Sequence, residues 1–183
     1  MSGRERTYRP RARTTRPLGE GRSANAPPST PLDPPVKRDD GWFVSEPLAH
    51  RLHQKSALGG RVEGGLLLTQ EEVLFCHWYR HLPLPGGDPW FAFSLKQDTS
   101  LLRRTIALDV LRNGGERVVP VEHLGSRFAS LPPATWAIRW ERHESWSSHP
   151  GHTQVRLQRT HAPLDWDELG QGVAGVPGLA HLA

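Results

Sequence analysis

Ten histidines and a single cysteine hold most of this chain's capacity for metal or acid–base chemistry. His77 and His81 are four apart in a helically patterned stretch, so their imidazoles would share a face, as in zinc peptidase helices. Trp78 stands where such a helix needs its general-base glutamate, and no third ligand is indicated, so no metal is expected. His143, His149, His152 and His161 gather in and around the polar stretch 145–151. An unperturbed imidazole changes charge near neutral pH, so one of these histidines would suit a general acid. A solvated loop whose histidines do no chemistry fits the same pattern. Cys76 can form neither an intrachain disulfide nor a cysteine-built zinc site, and an intracellular, cytoplasmic setting is expected. No GxSxG, P-loop, GxGxxG or HExxH is present, and no cofactor is expected.

Hydrophobic periodicity sets out the elements that would position these groups. Trp42, Phe43 and Val44 form the first apolar cluster, and Leu48 and Leu52 share a face of a short helix to about Lys55. Gly59-Gly60 and Gly64-Gly65 break the chain twice, and a brief strand at Leu66–Leu68 follows, ahead of Thr69. Thr69 and Glu72 make a capping box, in which the hydroxyl takes the amide of the third helical residue and the carboxylate reaches back. The helix behind it presents Leu74, Phe75, Trp78 and Leu82 as an apolar stripe and ends at Pro83 and Pro85. The stretch from Leu84 to Phe93 reads as a Gly/Pro-broken connection between two small halves. A second helix follows, with Asp98, Thr99 and Ser100 as caps and Leu102, Ile106 and Val110, with Ala107 and Leu111, as its buried face. It stops at Asn113-Gly114-Gly115. Strands are then expected at 117–121 and 127–131, at Trp136–Trp140 with one apolar face, and around Val155 and Leu157. Asp165 and Glu168 pattern a last short helix. The fold class is α+β: a small N-terminal α/β domain, then a domain with a mixed sheet flanked by helices.

Charge is uneven along the 183 residues. Residues 1–40 carry nine basic against five acidic residues, a surplus equal to the chain's formal net charge of +4. They also hold seven of the 17 prolines. Such a segment cannot bury enough apolar surface to offset the entropy of ordering, so disorder is expected for 1–40. Domains are drawn at 41–95 and 96–183. Arg4, Arg6, Arg9, Arg11, Arg13 and Arg16 form a basic comb suited to RNA phosphates, with a solubilising tail as the equal alternative. Arg127, Arg139, Arg142, Arg156 and Arg159 read first as charges on solvated strand faces, and second as phosphate contacts. No apolar run is long enough to cross a bilayer, and the Arg- and Pro-rich N-terminus lacks the apolar segment of a secretory signal.

Two stretches carry a family resemblance. The segment SEPLAHRLHQKSALGGRVEGGLLLTQEEVLFCHWYRHLPLP resembles the N-terminal domain of the tRNA-splicing (tRNA-intron) endonucleases, with Leu68-Thr69-Gln70-Glu71-Glu72-Val73 at its helix start. Leu111-Arg112-Asn113-Gly114 through Val118-Val119, followed by Gly125-Ser126-Arg127-Phe128 and later Pro163-Leu164 to Leu169, resembles the family's catalytic-type, nuclease-like domain. The likeness covers about residues 44–175, in order.

That resemblance implies metal-independent RNA cleavage giving a 2′,3′-cyclic phosphate, in which a Tyr activates the 2′-hydroxyl, a His protonates the leaving oxygen and a Lys stabilises the phosphorane. His152 falls where the family's His would. Leu131 stands at the Tyr position, three residues after Phe128, and no Lys occurs beyond Lys96. The expectation is therefore a non-catalytic, structural subunit. It would help bind and position intron-containing pre-tRNA beside a catalytic endonuclease subunit, or pair with itself, away from any membrane. An active endonuclease with shifted catalytic residues and an RNA-binding module retaining the fold are the alternatives.

Overall fold

A computed structural model describes residues 31–128, 131, 135–140, 153–157 and 179–182. It holds helices and two four-stranded sheets, an α+β arrangement. The first sheet is built from β1 (Val36–Arg38), β2 (Gly41–Ser45), β3 (Gly60–Val62) and β4 (Gly65–Leu68), ordered β1-β2-β4-β3 and antiparallel throughout. Helix α1 (Leu48–Ser56) links β2 to β3. Helices α2 (Gln70–Arg80), α3 (Gly87–Gln97) and α4 (Leu101–Asn113) follow. The second sheet contains β5 (Arg117–Pro120), β6 (Thr135–Trp140), β7 (Thr153–Leu157) and β8 (Leu179–Leu182) in that order. It is mixed, because β8 runs parallel to β7.

The sheet begins earlier than the first apolar cluster suggests. β1 lies inside the segment expected to be disordered, with Val36 opposite Phe43 and Arg38 opposite Gly41. The Arg38 guanidinium sits 3.3 Å from the centre of the Phe43 ring, and Lys37 lies 5.4 Å from that of Trp42. Cation–π contact thus recruits two charges that composition alone assigns to a tail. Residues 1–30 are outside the described residues.

The expected connection at 84–93 is largely a helix. Only residues 81–86 separate α2 from α3, which starts at Gly87. Pro89 reads as a breaker, but it occupies the first turn, where no intrahelical N–H bond is lost. The boundary drawn between residues 95 and 96 falls inside α3. One buried cluster joins Trp42, Leu52, Leu66, Phe75 and Leu82 to Leu108, Val118, Ala137 and Val155, so both sheets and the helices share a core. Trp90 of α3 meets Trp42 edge-on at 5.3 Å.

For α4 the period is right and the phase is wrong. Leu101, Thr105, Leu108 and Arg112 are buried with Ala107, whereas Leu102, Ile106 and Val110 are 39%, 50% and 56% exposed. Two polar residues hide the true face from a hydrophobic count. Thr105 satisfies its hydroxyl by donating to the Leu101 carbonyl at 2.9 Å, and Arg112 finds backbone acceptors. In α2 the stripe holds for Leu74 and Phe75, but Trp78 is exposed. The helix closes at His81 in the left-handed conformation (φ 57°), and Leu82 N–H donates back to the Cys76 carbonyl. Burial pushes the Cys76 thiol up to about 12, so it is an inert core residue.

At the head of the strand expected over 127–131, residues 126–128 instead make a 3₁₀ turn closed by Phe128 N–H to Gly125 O, and Leu131 N–H donates to Phe128 O. β6 is buried on both faces rather than one, and its pairing with β7 shifts register between Thr135 and Ala137. Arg156 is buried at 4% exposure, against its reading as a solvated charge, and Arg139 pairs with Glu116 at 3.3 Å. The helix expected after Asp165 lies outside the described residues. Among those residues, no helix is long and apolar enough to cross a membrane.

Candidate functional site

The capping box at Thr69 is the starting point of a buried polar node. Glu72 takes the Thr69 N–H at 3.0 Å, and Thr69 Oγ1 accepts from Glu72 N–H at 3.4 Å, as the sequence dictates. The same carboxylate also accepts Gly59 N–H at 2.9 Å and lies 2.6 Å from His123 Nε2, on the 3₁₀ turn Val121–His123 that follows β5. The His123 and Glu72 side chains are 5% and 0% exposed. Burial pushes Glu72 up, but the His123 charge and the hydrogen bonds from His123, Gly59 and Thr69 outweigh it and hold the carboxyl below its ordinary value. Burial pushes His123 down, while Glu72 first, then Glu122 and Glu71, raise it above the ordinary imidazole value. Both shifts favour the charged pair, which is packed so closely under β3 that a Cβ on Gly60 would sit 2.9 Å from His123 Nδ1.

Glu71, beside it, is equally buried. Its Oε1 accepts the Trp136 indole N–H at 2.9 Å and meets Arg104 Nε at 3.4 Å. Arg104 continues to Asp98 Oδ2 at 2.6 Å and to Ser100 Oγ. Burial raises the Asp98 carboxyl, but hydrogen bonds from Arg104 and Ser100 and the Arg104 charge bring it down to about 2. The node thus runs from α4 through the start of α2 to β6 and the turn after β5, with a partner for each ionised group.

Arg112 forms a second junction. It is fully buried, and donates to the carbonyls of Ser56, Ala57 and Val118. It thereby joins the end of α1 and strand β5 to the end of α4. Burial lowers this guanidinium to about 10 despite Glu72 nearby.

The residues expected to carry RNA chemistry are less well represented. His152 and the arginine comb (Arg4, Arg6, Arg9, Arg11, Arg13 and Arg16) lie outside the described residues. Leu131 is described, and packs with Leu124 and Phe128 against buried Val119, Ile138 and Trp140; Phe128 meets Trp140 edge-on at 6.0 Å. Its surroundings are apolar, unsuited to a general base. His77 and His81 do not present a shared helical face, because His81 has left the helix, and His77 Nδ1 is 2.9 Å from the Leu82 carbonyl.

Glu72 was visible as a cap, but nothing in the local sequence marks His123, Glu71, Arg104 or Arg112 as its long-range partners. A polar residue on an otherwise apolar helix face was the one available signal for Arg112. The arrangement can hold the two sheets together and offer the apolar row Leu102, Ile106 and Val110 to another molecule. Set against models of known protein families, characterised proteins and solved structures, the chain matches none.

Proposed function

We propose that this chain is a structural, non-catalytic subunit of a tRNA-intron-type splicing endonuclease, helping to bind and position intron-containing pre-tRNA for a catalytic partner. The observation that carries the reading is Leu131. At the position the resemblance gives to the base Tyr, the chain has an apolar side chain packed with Leu124 and Phe128 against the Val119–Ile138–Trp140 cluster. The other motif residues supporting the resemblance do architectural work: Thr69 and Glu72 cap α2, Arg112 ties α1 to β5, and Phe128 packs on Trp140. A chain whose matching motif residues serve packing and capping, and which lacks a Tyr and a Lys at the positions the resemblance gives them, suits a scaffold role. The exposed row on α4 supports association, since single apolar residues on a surface are ordinary but three at successive helical turns form a stripe.

Sedimentation velocity tests this directly, with the chain mixed with a purified catalytic subunit of a tRNA-intron endonuclease from the same cell. A stoichiometric complex is expected, and Ile106→Glu should weaken it. Two components that sediment independently at micromolar concentration would contradict the proposal.

A further inference from the structure

Outside the association surface, the least ordinary feature is the His123–Glu72 pair. A buried ion pair keeps its Coulomb attraction only while both members keep their charge, and histidine alone among side chains changes charge near physiological pH without help. Here the pair does more than pack. The Glu72 carboxylate simultaneously holds the Gly59 amide between α1 and β3, the Thr69 amide at the start of α2, and His123 on the turn leaving β5. Three segments from both parts of the chain meet on one carboxylate. We propose that His123 and Glu72 form a proton-operated latch, closed while His123 is protonated and loosened when it becomes neutral, which fastens the turn after β5 to the start of α2 and the β3 edge.

The surroundings decide the sign. From α2, Glu71 and Glu72 face the imidazole; Glu122 adjoins it on its own turn. From α4, Arg104 acts through its pairing with Glu71, and Arg112 acts on Glu72. Cys76 in α2 is a neutral thiol. From β3, Gly60 contributes only its backbone. The carboxylates outnumber the cations around the ring and favour imidazolium. A histidine raised in the folded state adds stability that is complete below its ordinary value of about 6.5 and is lost as pH rises through the folded value. Glu72, held low, adds stability present above the ordinary glutamate value of about 4.3 and lost on acidification. The latch is therefore tightest between those limits and loosens on the alkaline side. Loss of the imidazolium leaves Glu72 buried without its counter-charge, a cost that favours local opening at the Gly59 and Thr69 amides it holds. The inference is independent of any role in RNA processing.

The test uses the full chain, by NMR titration of the histidine ring protons combined with amide exchange at several pH values. One ring should titrate above free imidazole and vanish from the spectrum in His123→Gln. Exchange at Gly59 and Thr69, corrected for base catalysis, should accelerate at least several-fold as that ring deprotonates, and by more than at buried amides of α4 such as that of Leu108, which follow only the global stability. The urea midpoint should fall over the same pH interval in the wild type and stay flat in His123→Gln. A His123 ring titrating at or below free imidazole would overturn the proposal. So would exchange at Gly59 and Thr69 that ignores its titration. Both readouts come from the wild-type chain, with the His123 ring also assigned through its backbone connectivities, so a His123→Gln variant that fails to fold leaves the test intact.

Discussion

Arg112→Met would remove a junction while keeping an unbranched apolar stem of similar bulk. The guanidinium donates to three backbone carbonyls, those of Ser56, Ala57 and Val118, and is fully buried. A hydrogen bond to a charged group is worth about 1.5–3 kcal/mol net, and a buried carbonyl left without its donor costs about 1–3 kcal/mol. Three such losses would exceed about 5 kcal/mol, but methionine also lifts the desolvation cost that has lowered the guanidinium to about 10. The expected net loss is about 3 kcal/mol, a large part of the roughly 5–15 kcal/mol that holds a domain folded. With a urea slope of about 2 kcal/mol/M, the midpoint should drop by about 1.5 M with the slope unchanged. Arg112→Lys keeps the charge but loses the planar fork, so it should fall between the wild type and Arg112→Met. A loss below about 1 kcal/mol for Arg112→Met would mean that the three carbonyls are satisfied by other means, and the argument that Arg112 joins α1 to β5 would fail.

Gly59→Ala should destabilise the fold by about 1–3 kcal/mol in thermal melts, because φ is +67° and a Cβ would lie 2.5 Å from Leu66 Cγ and 2.6 Å from the Leu67 carbonyl oxygen; an unchanged melt would refute the close packing of that turn. Thr69→Ala should cost about 1 kcal/mol by removing one arm of the capping box, and a neutral result would show that Glu72 alone holds the start of α2. Ile106→Glu should leave stability within about 0.5 kcal/mol while reducing self-association or complex formation, and a severe loss of stability would place Ile106 in the core instead. Deleting residues 1–22 should flatten the salt dependence of pre-tRNA binding, since each phosphate contact contributes about 0.9 to the log–log slope on duplex; equal slopes would leave the arm as a solubilising tail.

Local signals in this sequence were the legible ones. Thr69-to-Glu72 announced its cap, Leu66–Leu68 its strand between the Gly64-Gly65 break and that cap, and Trp136–Trp140 and Val155–Leu157 theirs by alternation. These rest on neighbours a few residues apart, and the chain carries that information directly. What escaped was set by distant partners. The phase of α4 turns on Arg112 being buried, and that follows from carbonyls of Ser56 and Ala57, more than fifty positions away. β1 needs Trp42 and Phe43 beneath its two charges. Pro89 reads as a breaker unless it is known to fall in a first turn. His123 is one histidine among ten until the fold sets it against Glu72.

We propose that this chain serves RNA cleavage without performing it. An intron-containing pre-tRNA should be incubated with the purified full-length chain alone, and then with the chain together with a catalytic tRNA-intron endonuclease subunit, and the ends of the products analysed. The account predicts no cleavage by the chain alone, and in its presence enhanced cutting at the splice sites with 2′,3′-cyclic phosphate ends. Cyclic-phosphate products from the chain alone that disappear in His152→Ala would contradict it, as would catalytic-subunit activity indifferent to the chain.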